Sequence, residues 1–179
     1  EKLLAHSSVD QVILTGGYET AELFKKFNPS MRLLAETSGK NAIIVTESAD
    51  YDLAAKDIAQ SAFGHAGQKC SASSLVILVG SVSKSKRFFR QLEDAVQSLH
   101  VGYPEDPRTQ MGPLIAAPEG KLLAGLTRLE RGERWFVKPE KLDDTGKLWS
   151  PGIRTHVLPG AVSHMTEYFG PIVSIMTTR

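Results

Sequence analysis

Residues 51–79 read YDLAAKDIAQSAFGHAGQKCSASSLVILV, and this stretch decides the fold class. Its first part, 51–62, spaces its apolar residues as one face of a helix does. Its last part, 75–79, is a short continuous apolar run, which is typical of a buried strand. A helix that leads through a glycine-bearing loop into a buried strand is a unit of a layered α/β fold. The helix face that we predict to be buried consists of Leu53, Ile58 and Ala62.

Strands and helices alternate in this way along most of the chain, so we predict an α/β fold. The stretch 130–160 is predicted to be irregular and polar, with Trp135 and Trp149 as packing anchors. The chain opens without an initiator Met and ends in a predicted strand, 172–176, whose edge we expect to be unpaired; this predicts a piece of a longer protein, truncated at both ends. The other predicted strands are 9–14, 32–35, 41–45 and 75–79, and the predicted helices are 19–27, 51–62, 84–99 and 119–129, with Asp50 and Ser83 as N-caps of the second and third.

The composition is ordinary for a globular protein and excludes several classes of function. With 21 basic and 20 acidic side chains among 179 residues, the net charge is +1, so no nucleic-acid partner is expected. No apolar run approaches the roughly 20 residues of a membrane helix, and no secretory signal pattern is present, so no membrane partner is expected. The single cysteine excludes internal disulfides and clusters of several thiolates, and it fits a reducing cytoplasm.

That cysteine, Cys70, is the first candidate site residue. It lies among Gly64, Gly67, Gln68 and Lys69, which would make a poor core segment. This setting favours a nucleophile over the alternative, a buried structural thiol. The thiolate is the reactive form, and the neighbouring Lys69 cation favours it.

Glu36 is the second candidate, in the upstream segment ETSGKN at 36–41. Because Glu36 lies between an apolar run and a glycine, we expect a partly buried carboxylate that could act as a general base. The alternative is a solvated loop carboxylate. A cysteine and a glutamate on two glycine-bearing loops form a nucleophile-plus-base arrangement.

Two further motifs each have an ordinary alternative. The run TGG at 15–17 follows a predicted strand and precedes a predicted helix, so its N–H groups could meet a phosphate, or it could be a simple tight turn. The run EYFGP at 167–171 could likewise be a turn before a strand. The histidines lack metal-ligand spacing, so no metal site is assigned. His65, upstream of Cys70, leaves a cysteine–histidine hydrolase or acyltransferase open.

At this point the motifs resemble those of a known family. ETSGKN at 36–41 resembles the glutamate motif of the NAD(P)-dependent aldehyde dehydrogenases, and GQKC at 67–70 resembles their catalytic cysteine motif. EYFGP at 167–171 is similar to their ribose-contacting motif, and LTGG at 14–17 to the turn that meets the cofactor pyrophosphate. Order and spacing agree over essentially the whole chain.

Within the family, FGHAGQKCSA at 63–72 looks most like the Δ1-pyrroline-5-carboxylate (L-glutamate γ-semialdehyde) dehydrogenases. LWSPGIR at 148–154 resembles the version joined to a proline dehydrogenase in bacterial bifunctional enzymes. The chain departs from the family where Thr37-Ser38 replaces Leu-Gly and where Gly17 replaces Ser. Both places are contacted mainly through the backbone, so we treat them as tolerated variation.

The resemblance implies an aldehyde-dehydrogenase-like three-layer fold, with 1–37 as the tail of the dinucleotide-binding domain and 38–179 as an incomplete catalytic domain. It implies oxidation of glutamate semialdehyde with NAD in proline catabolism, through a thiohemiacetal and a thioester. The sequence does not distinguish NAD from NADP as the preferred cofactor. The chain alone is expected to be inactive. The implied roles are catalysis for Cys70 and Glu36, cofactor binding for Thr15, Gly16, Gly17, Thr37, Glu167 and Phe169, and substrate binding for Ser71 and Lys69.

The implied partner is a small aldehyde that carries a carboxylate. The parent protein is expected to be a homo-oligomer, with fusion to a proline dehydrogenase domain as a further expectation. Two alternatives remain: another aldehyde dehydrogenase, and a non-catalytic structural fragment.

Overall fold

The computed structural model describes residues 2–179, which form two compact units that divide between Gly39 and Lys40. The first unit is a small βαβ arrangement in which two short strands pair in parallel. Parallel strands cannot be joined by a tight turn, so a helix connects them. The elements are β1 (Val12–Thr15), α1 (Tyr18–Phe27) and β2 (Leu33–Glu36).

The second unit mixes strands and helices, with two helices in succession after its second strand and two strands in succession before its last helix. A tight turn, Gly64–Gly67, follows its first helix, and a 3₁₀ turn, Gly80–Lys84, precedes its second helix. The remaining elements are β3 (Ala42–Val45), α2 (Tyr51–Phe63), β4 (Leu75–Val79), α3 (Lys86–Gln97), α4 (Gly120–Thr127), β5 (Arg134–Val137), β6 (Gly152–Thr155), α5 (Val162–Met165) and β7 (Ile172–Thr178).

The five strands of this unit form one sheet in the order β3-β4-β7-β6-β5, parallel throughout except for the β5–β6 pair. The last strand, β7, is central and pairs with β4 on one side and β6 on the other. The expected unpaired edge at 172–176 is therefore wrong. The buried run Ile172, Val173, Ser174 and Ile175 fits this central place, because a strand covered on both faces has no polar side.

Helix α2 packs one face against the core beside α3. Its buried residues Ala55, Ile58, Ala59 and Ala62 follow the spacing of one helical stripe. The prediction for Ile58 and Ala62 is confirmed. The prediction for Leu53 is wrong, because its side chain lies outside this stripe and is 54% exposed.

The helix caps show one confirmed prediction and one error. Asp50 accepts hydrogen bonds from the backbone N–H groups of Asp52 and Leu53, at 3.0 and 3.1 Å. Helix α3 starts later than predicted, and its cap is Ser85, whose Oγ lies 3.2 Å from the N of Phe88. The predicted cap, Ser83, instead donates to the carbonyl of Gly80 at 2.7 Å.

The stretch 130–160 is more regular than its polarity suggests, since it contains β5 and β6. Both strands are only four residues long, which leaves little periodic signal to detect. The two anchors are confirmed: Trp149 belongs to the buried core and Trp135 packs against it. Within residues 2–179, no helix is both long and apolar enough to cross a membrane.

Candidate active site

The cysteine loop begins where α2 ends, with three consecutive residues in the left-handed region. His65, Ala66 and Gly67 have φ values of 54°, 54° and 67°. A Cβ on Gly67 would lie 2.9 Å from the carbonyl oxygen of Ala62 and still closer to the carbonyl of Gly170. Glycine is therefore required at position 67, because both obstacles are backbone atoms and φ is positive.

Asn41 fixes the loop at the cysteine itself. Its Nδ2 donates to the carbonyl oxygens of Cys70 and Ala72, at 2.5 and 3.1 Å. Its own carbonyl accepts from the N–H groups of Ser74 and Leu75, both at 3.1 Å. Asn41 thus ties the loop to the start of β4. Asn41 closes the motif at 36–41, but the motif alone does not predict its bonds to the cysteine loop.

Two groups of Cys70 matter for its reactivity: the side-chain thiol and the backbone N–H. The side chain is exposed. Within residues 2–179, neither its Sγ nor its backbone N–H takes part in a hydrogen bond, whereas its carbonyl is held by Asn41. The thiol can therefore be approached from solvent, and the adjacent N–H can serve a developing oxyanion.

Gln68 joins the cysteine loop to two other loops. Its Nε2 donates to the carbonyl of Phe169 at 3.3 Å, and its Oε1 accepts from the N–H of Ile115 at 3.0 Å. Together with the close approach of Gly67 to Gly170, this contact brings the motifs GQKC and EYFGP together. The sequence predicted both motifs but not the contact between them.

The loop before β7 carries Glu167 and is held by Lys40. The Lys40 Nζ donates to the carbonyl of Thr166 at 2.8 Å and lies 5.2 Å from the centroid of the Tyr168 ring. Burial, and then the nearby Arg154 guanidinium, lower the pKa of Lys40 from 10.5 to about 8. Glu167 is half-buried, and its carboxylate accepts no hydrogen bond from the described part of the chain.

A buried charge cluster lies beneath this loop. Arg154 and Glu133 form an ion pair at 3.0 Å, with side chains 1% and 2% exposed. Glu133 also accepts from the hydroxyl of Ser163, and Arg154 donates to the carbonyl of Gly125. The guanidinium lies 5.2 Å from the centroid of the Tyr168 ring. Sequence reasoning missed this cluster, because an arginine in a strand gives no sign of whether it is buried.

Glu36 belongs to the first compact unit. It ends β2, and its carbonyl accepts a hydrogen bond from the N–H of Gly16 at 3.1 Å. Its side chain is exposed, so the expected partial burial is wrong. The pairing of Glu36 with Cys70 stays a prediction from the sequence.

The turn after β1 is also in this first unit. The N–H of Gly16 is bonded to Glu36 and so is not free, but Gly17 is followed by the first turn of a ten-residue helix. Within residues 2–179, the N–H groups of Gly17, Tyr18 and Glu19 donate no hydrogen bond. These are the amides that a helix N-terminus can offer to an anion. Thr37, next to Glu36, is half-buried.

A cleft of about 620 Å³ lies beside the cysteine loop. Lys69 and Ser71, the neighbours of Cys70, both line it, and so does His65. The ring of His65 makes no hydrogen bond to any described residue, so nothing orients it as a base towards the thiol. Residues 2–179 contain no group of three or more His, Cys, Asp and Glu side chains placed to hold a metal ion.

Comparisons with known proteins agree with this geometry. The family model described as "Aldehyde dehydrogenase family" matches residues 1–179. A 1-pyrroline-5-carboxylate dehydrogenase of Bacillus subtilis is 35% identical over 99% of this chain and 36% of its own length. The solved structure of proline utilization A from Corynebacterium freiburgense superposes with a TM-score of 0.93 at 59% identity, over 98% of this chain and 18% of that chain.

A more distant structure, betaine aldehyde dehydrogenase of Staphylococcus aureus in complex with NAD⁺, superposes with a TM-score of 0.86 at 27% identity, over 99% of this chain and 36% of that one. The predicted fold class and the resemblance drawn from the motifs are confirmed. The chain spans only 36% of the length of the relative from Bacillus subtilis.

Proposed function

We propose that this chain, which belongs to the aldehyde dehydrogenase family, carries the nucleophile of an enzyme that oxidises L-glutamate γ-semialdehyde to glutamate with NAD. One observation carries the proposal. Cys70 has an exposed thiol and an unbonded backbone N–H on a loop that Asn41 fixes through the Cys70 carbonyl. The likeness to 1-pyrroline-5-carboxylate dehydrogenases and to proline utilization A supports this substrate over other aldehydes.

In the first step, the Cys70 thiolate attacks the aldehyde carbon and forms a thiohemiacetal. The carbonyl oxygen becomes an oxyanion, to which the N–H of Cys70 donates. A preorganised donor of this kind typically contributes about 10²–10³ in rate. Asn41 helps because it holds the Cys70 carbonyl, in the peptide that follows the one carrying this N–H, and so restrains the loop at Cys70.

The residues on each unit fit a nicotinamide dinucleotide. The N–H groups of Gly17, Tyr18 and Glu19 are open to a pyrophosphate, and the Glu167 carboxylate is free to accept bonds from ribose hydroxyls. NAD, when bound here, would supply the hydride acceptor, and the oxidised substrate would then remain on Cys70 as a thioester. Thr15, Thr37 and Phe169 complete the proposed cofactor contacts. Gly16 supports this turn indirectly, because its N–H is bonded to the carbonyl of Glu36.

Glu36 is the proposed general base of the last step. Its carboxylate takes a proton from water, the hydroxide attacks the thioester carbon, and the Cys70 thiolate leaves as glutamate forms. Ser71 and Lys69 are the proposed contacts to the carboxylate of the substrate. A hydroxyl and an ammonium group beside the nucleophile, on the wall of one cleft, suit an anionic end group.

The proposal includes the cellular location of the enzyme, its assembly and its pathway. We place it in the cytoplasm, where a lone reactive thiol stays reduced. We also propose a homo-oligomer, a place in proline catabolism and, from the likeness to proline utilization A, fusion to a proline dehydrogenase domain. Residues 1–37 then belong to the dinucleotide-binding domain and 38–179 to the catalytic domain.

The test compares two aldehydes in the full polypeptide that carries this chain. NADH formation is measured with glutamate semialdehyde and with a neutral aldehyde of the same length. Ser71→Ala should raise KM for glutamate semialdehyde several-fold more than for the neutral aldehyde, while Ser98→Ala, at the exposed end of α3, should change neither. Equal effects of Ser71→Ala on both substrates would contradict the substrate assignment, and turnover by Cys70→Ala would contradict the mechanism.

A further inference from the structure

Lys40 contacts the chain on both sides of Glu167. Its Nζ donates to the carbonyl of Thr166, the residue before, and lies over the ring of Tyr168, the residue after. Glu167 itself accepts no hydrogen bond within the described residues, so its carboxylate is placed by its neighbours. Lys40 is therefore suited to hold Glu167 in position without touching the reacting atoms.

The other end of the same loop is held independently. Gln68 donates to the carbonyl of Phe169, and Gly67 lies against Gly170. The loop is thus fixed downstream by the cysteine loop and upstream by Lys40. Removing the Lys40 contact would free the part that contains Glu167 and leave the cysteine loop tied to Phe169.

We propose that Lys40 is a positioning residue for the cofactor: its charged amino group fixes Thr166 and Tyr168, and loss of this charge weakens cofactor binding more than it affects the chemistry at Cys70. This inference rests on the proposed function, in which Glu167 holds the ribose. It gives Lys40, which lies in the glutamate motif at 36–41, a role toward the loop that carries Glu167.

The surroundings of Lys40 make its charge sensitive to pH. Burial and the Arg154 guanidinium on β6 lower the pKa of Lys40 to about 8, whereas Glu167 on the loop and Glu133 before β5 oppose the shift. The remaining facing group is the Tyr168 ring, whose own pKa is raised by burial. Above about pH 8 the neutral amine can still donate a hydrogen bond, but it loses its attraction to the ring.

The test measures NADH affinity by fluorescence titration between pH 6.5 and 9.5, in the full polypeptide that carries this chain. We expect the unchanged protein to lose about fivefold in affinity through pH 8, the value for roughly 1 kcal/mol of cation–π and charge-assisted hydrogen bonding. Lys40→Met should bind weakly at every pH and lack this step. Lys56→Met, an exposed lysine on α2, is the matched control and should behave like the unchanged protein.

Steady-state kinetics add a second readout. Lys40→Met should raise KM for NAD about fivefold while kcat at saturating NAD changes less than twofold, because the contact is made by the loop and not by the reacting atoms. A loss of kcat with unchanged KM would overturn the inference. So would a Lys40→Met protein that binds NADH as tightly as the unchanged one and keeps the step at pH 8.

Two outcomes separate this inference from the proposed function. If the unchanged protein does not bind NADH, the proposed function fails. If it binds NADH but Lys40→Met makes no difference, only the role of Lys40 fails. Should Lys40→Met lose its cooperative thermal transition, Lys40→Arg decides: a permanent cation should remove the step near pH 8, and a retained step would overturn the proposal.

Discussion

Gly67→Ala and Gly64→Ala test whether the cysteine loop is built on one obligatory glycine. The two glycines lie three positions apart in the same turn. A Cβ on Gly67 would meet the backbone carbonyls of Ala62 and Gly170 at a φ of 67°, whereas a Cβ on Gly64 has no heavy atom within 4 Å. The two substitutions add the same methyl group, so the difference between them measures the local geometry.

The expected cost at Gly67 has two parts. A non-glycine residue in the left-handed region costs about 1–2 kcal/mol. Overpacking against atoms that cannot move away costs a further ~1–3 kcal/mol, because the obstacles are backbone rather than the ends of flexible side chains. The sum, about 2–5 kcal/mol, is a large part of the stability of an ordinary domain. At Gly64, with φ of −52°, alanine should be neutral or stabilise by up to about 1 kcal/mol, since it restricts only the unfolded chain.

Urea unfolding, followed by circular dichroism, gives both free energies. Hydrogen exchange of the peptides that cover 63–72 and 167–171 shows whether the contact between the two loops has opened. We expect faster exchange in both peptides for Gly67→Ala and in neither for Gly64→Ala. A loss below 1 kcal/mol at Gly67, or equal losses at the two positions, would refute the view that the approach of Gly67 to Gly170 fixes the loop.

Three other changes have expected outcomes. Asn41→Ala removes two hydrogen bonds to loop carbonyls, so the unfolding free energy should fall by about 1–2 kcal/mol and exchange in the peptide that contains Cys70 should rise. Arg154→Met leaves the buried Glu133 carboxylate without its cation and should cost about 3–5 kcal/mol in urea unfolding, with partial recovery in the Arg154→Met/Glu133→Leu double variant. Lys40 releases its proton near pH 8 in the folded protein and near 10.5 in the unfolded chain, so the unfolded state binds more protons between these values and stability should rise by about 2 kcal/mol from pH 8 to 10, an increment that Lys40→Met should lack.

Much of the fold follows from local sequence signals. The predicted bounds of the strand at 75–79 match the observed ones, and those of α2 match to within one residue, because each has a strong local signal. The strand is a continuous apolar run, and the helix has an N-cap followed by helical spacing. The cap of α3 was misplaced because Ser83 and Ser85 are chemically equivalent. They differ only in the structure, where the hydroxyl of Ser83 is bonded within the 3₁₀ turn Gly80–Lys84 and that of Ser85 caps the helix.

The predictions that fail, and the features that were not predicted, depend on contacts between residues far apart in the chain. The place of β7 in the sheet depends on strands far away in the chain, and the end of a sequence cannot show which strands lie on either side of it. The buried Arg154–Glu133 pair was missed for the same reason, since each side chain is ordinary on its own and only their pairing permits burial. Asn41 gave a local signal in its motif, but its role needs the loop that comes 29 residues later.

The two motifs recognised in the second unit, GQKC and EYFGP, are about a hundred residues apart and yet constrain one another. Gly67 must lack a side chain because Gly170 passes beside it, and Gln68 is bonded to the carbonyl of Phe169. In the proposed enzyme, the nucleophile and the ribose contact are therefore positioned by the same set of backbone contacts. A change that moves the loop of Glu167 from its downstream end should alter both cofactor binding and acylation, whereas a change from its upstream end, at Lys40, should alter cofactor binding alone.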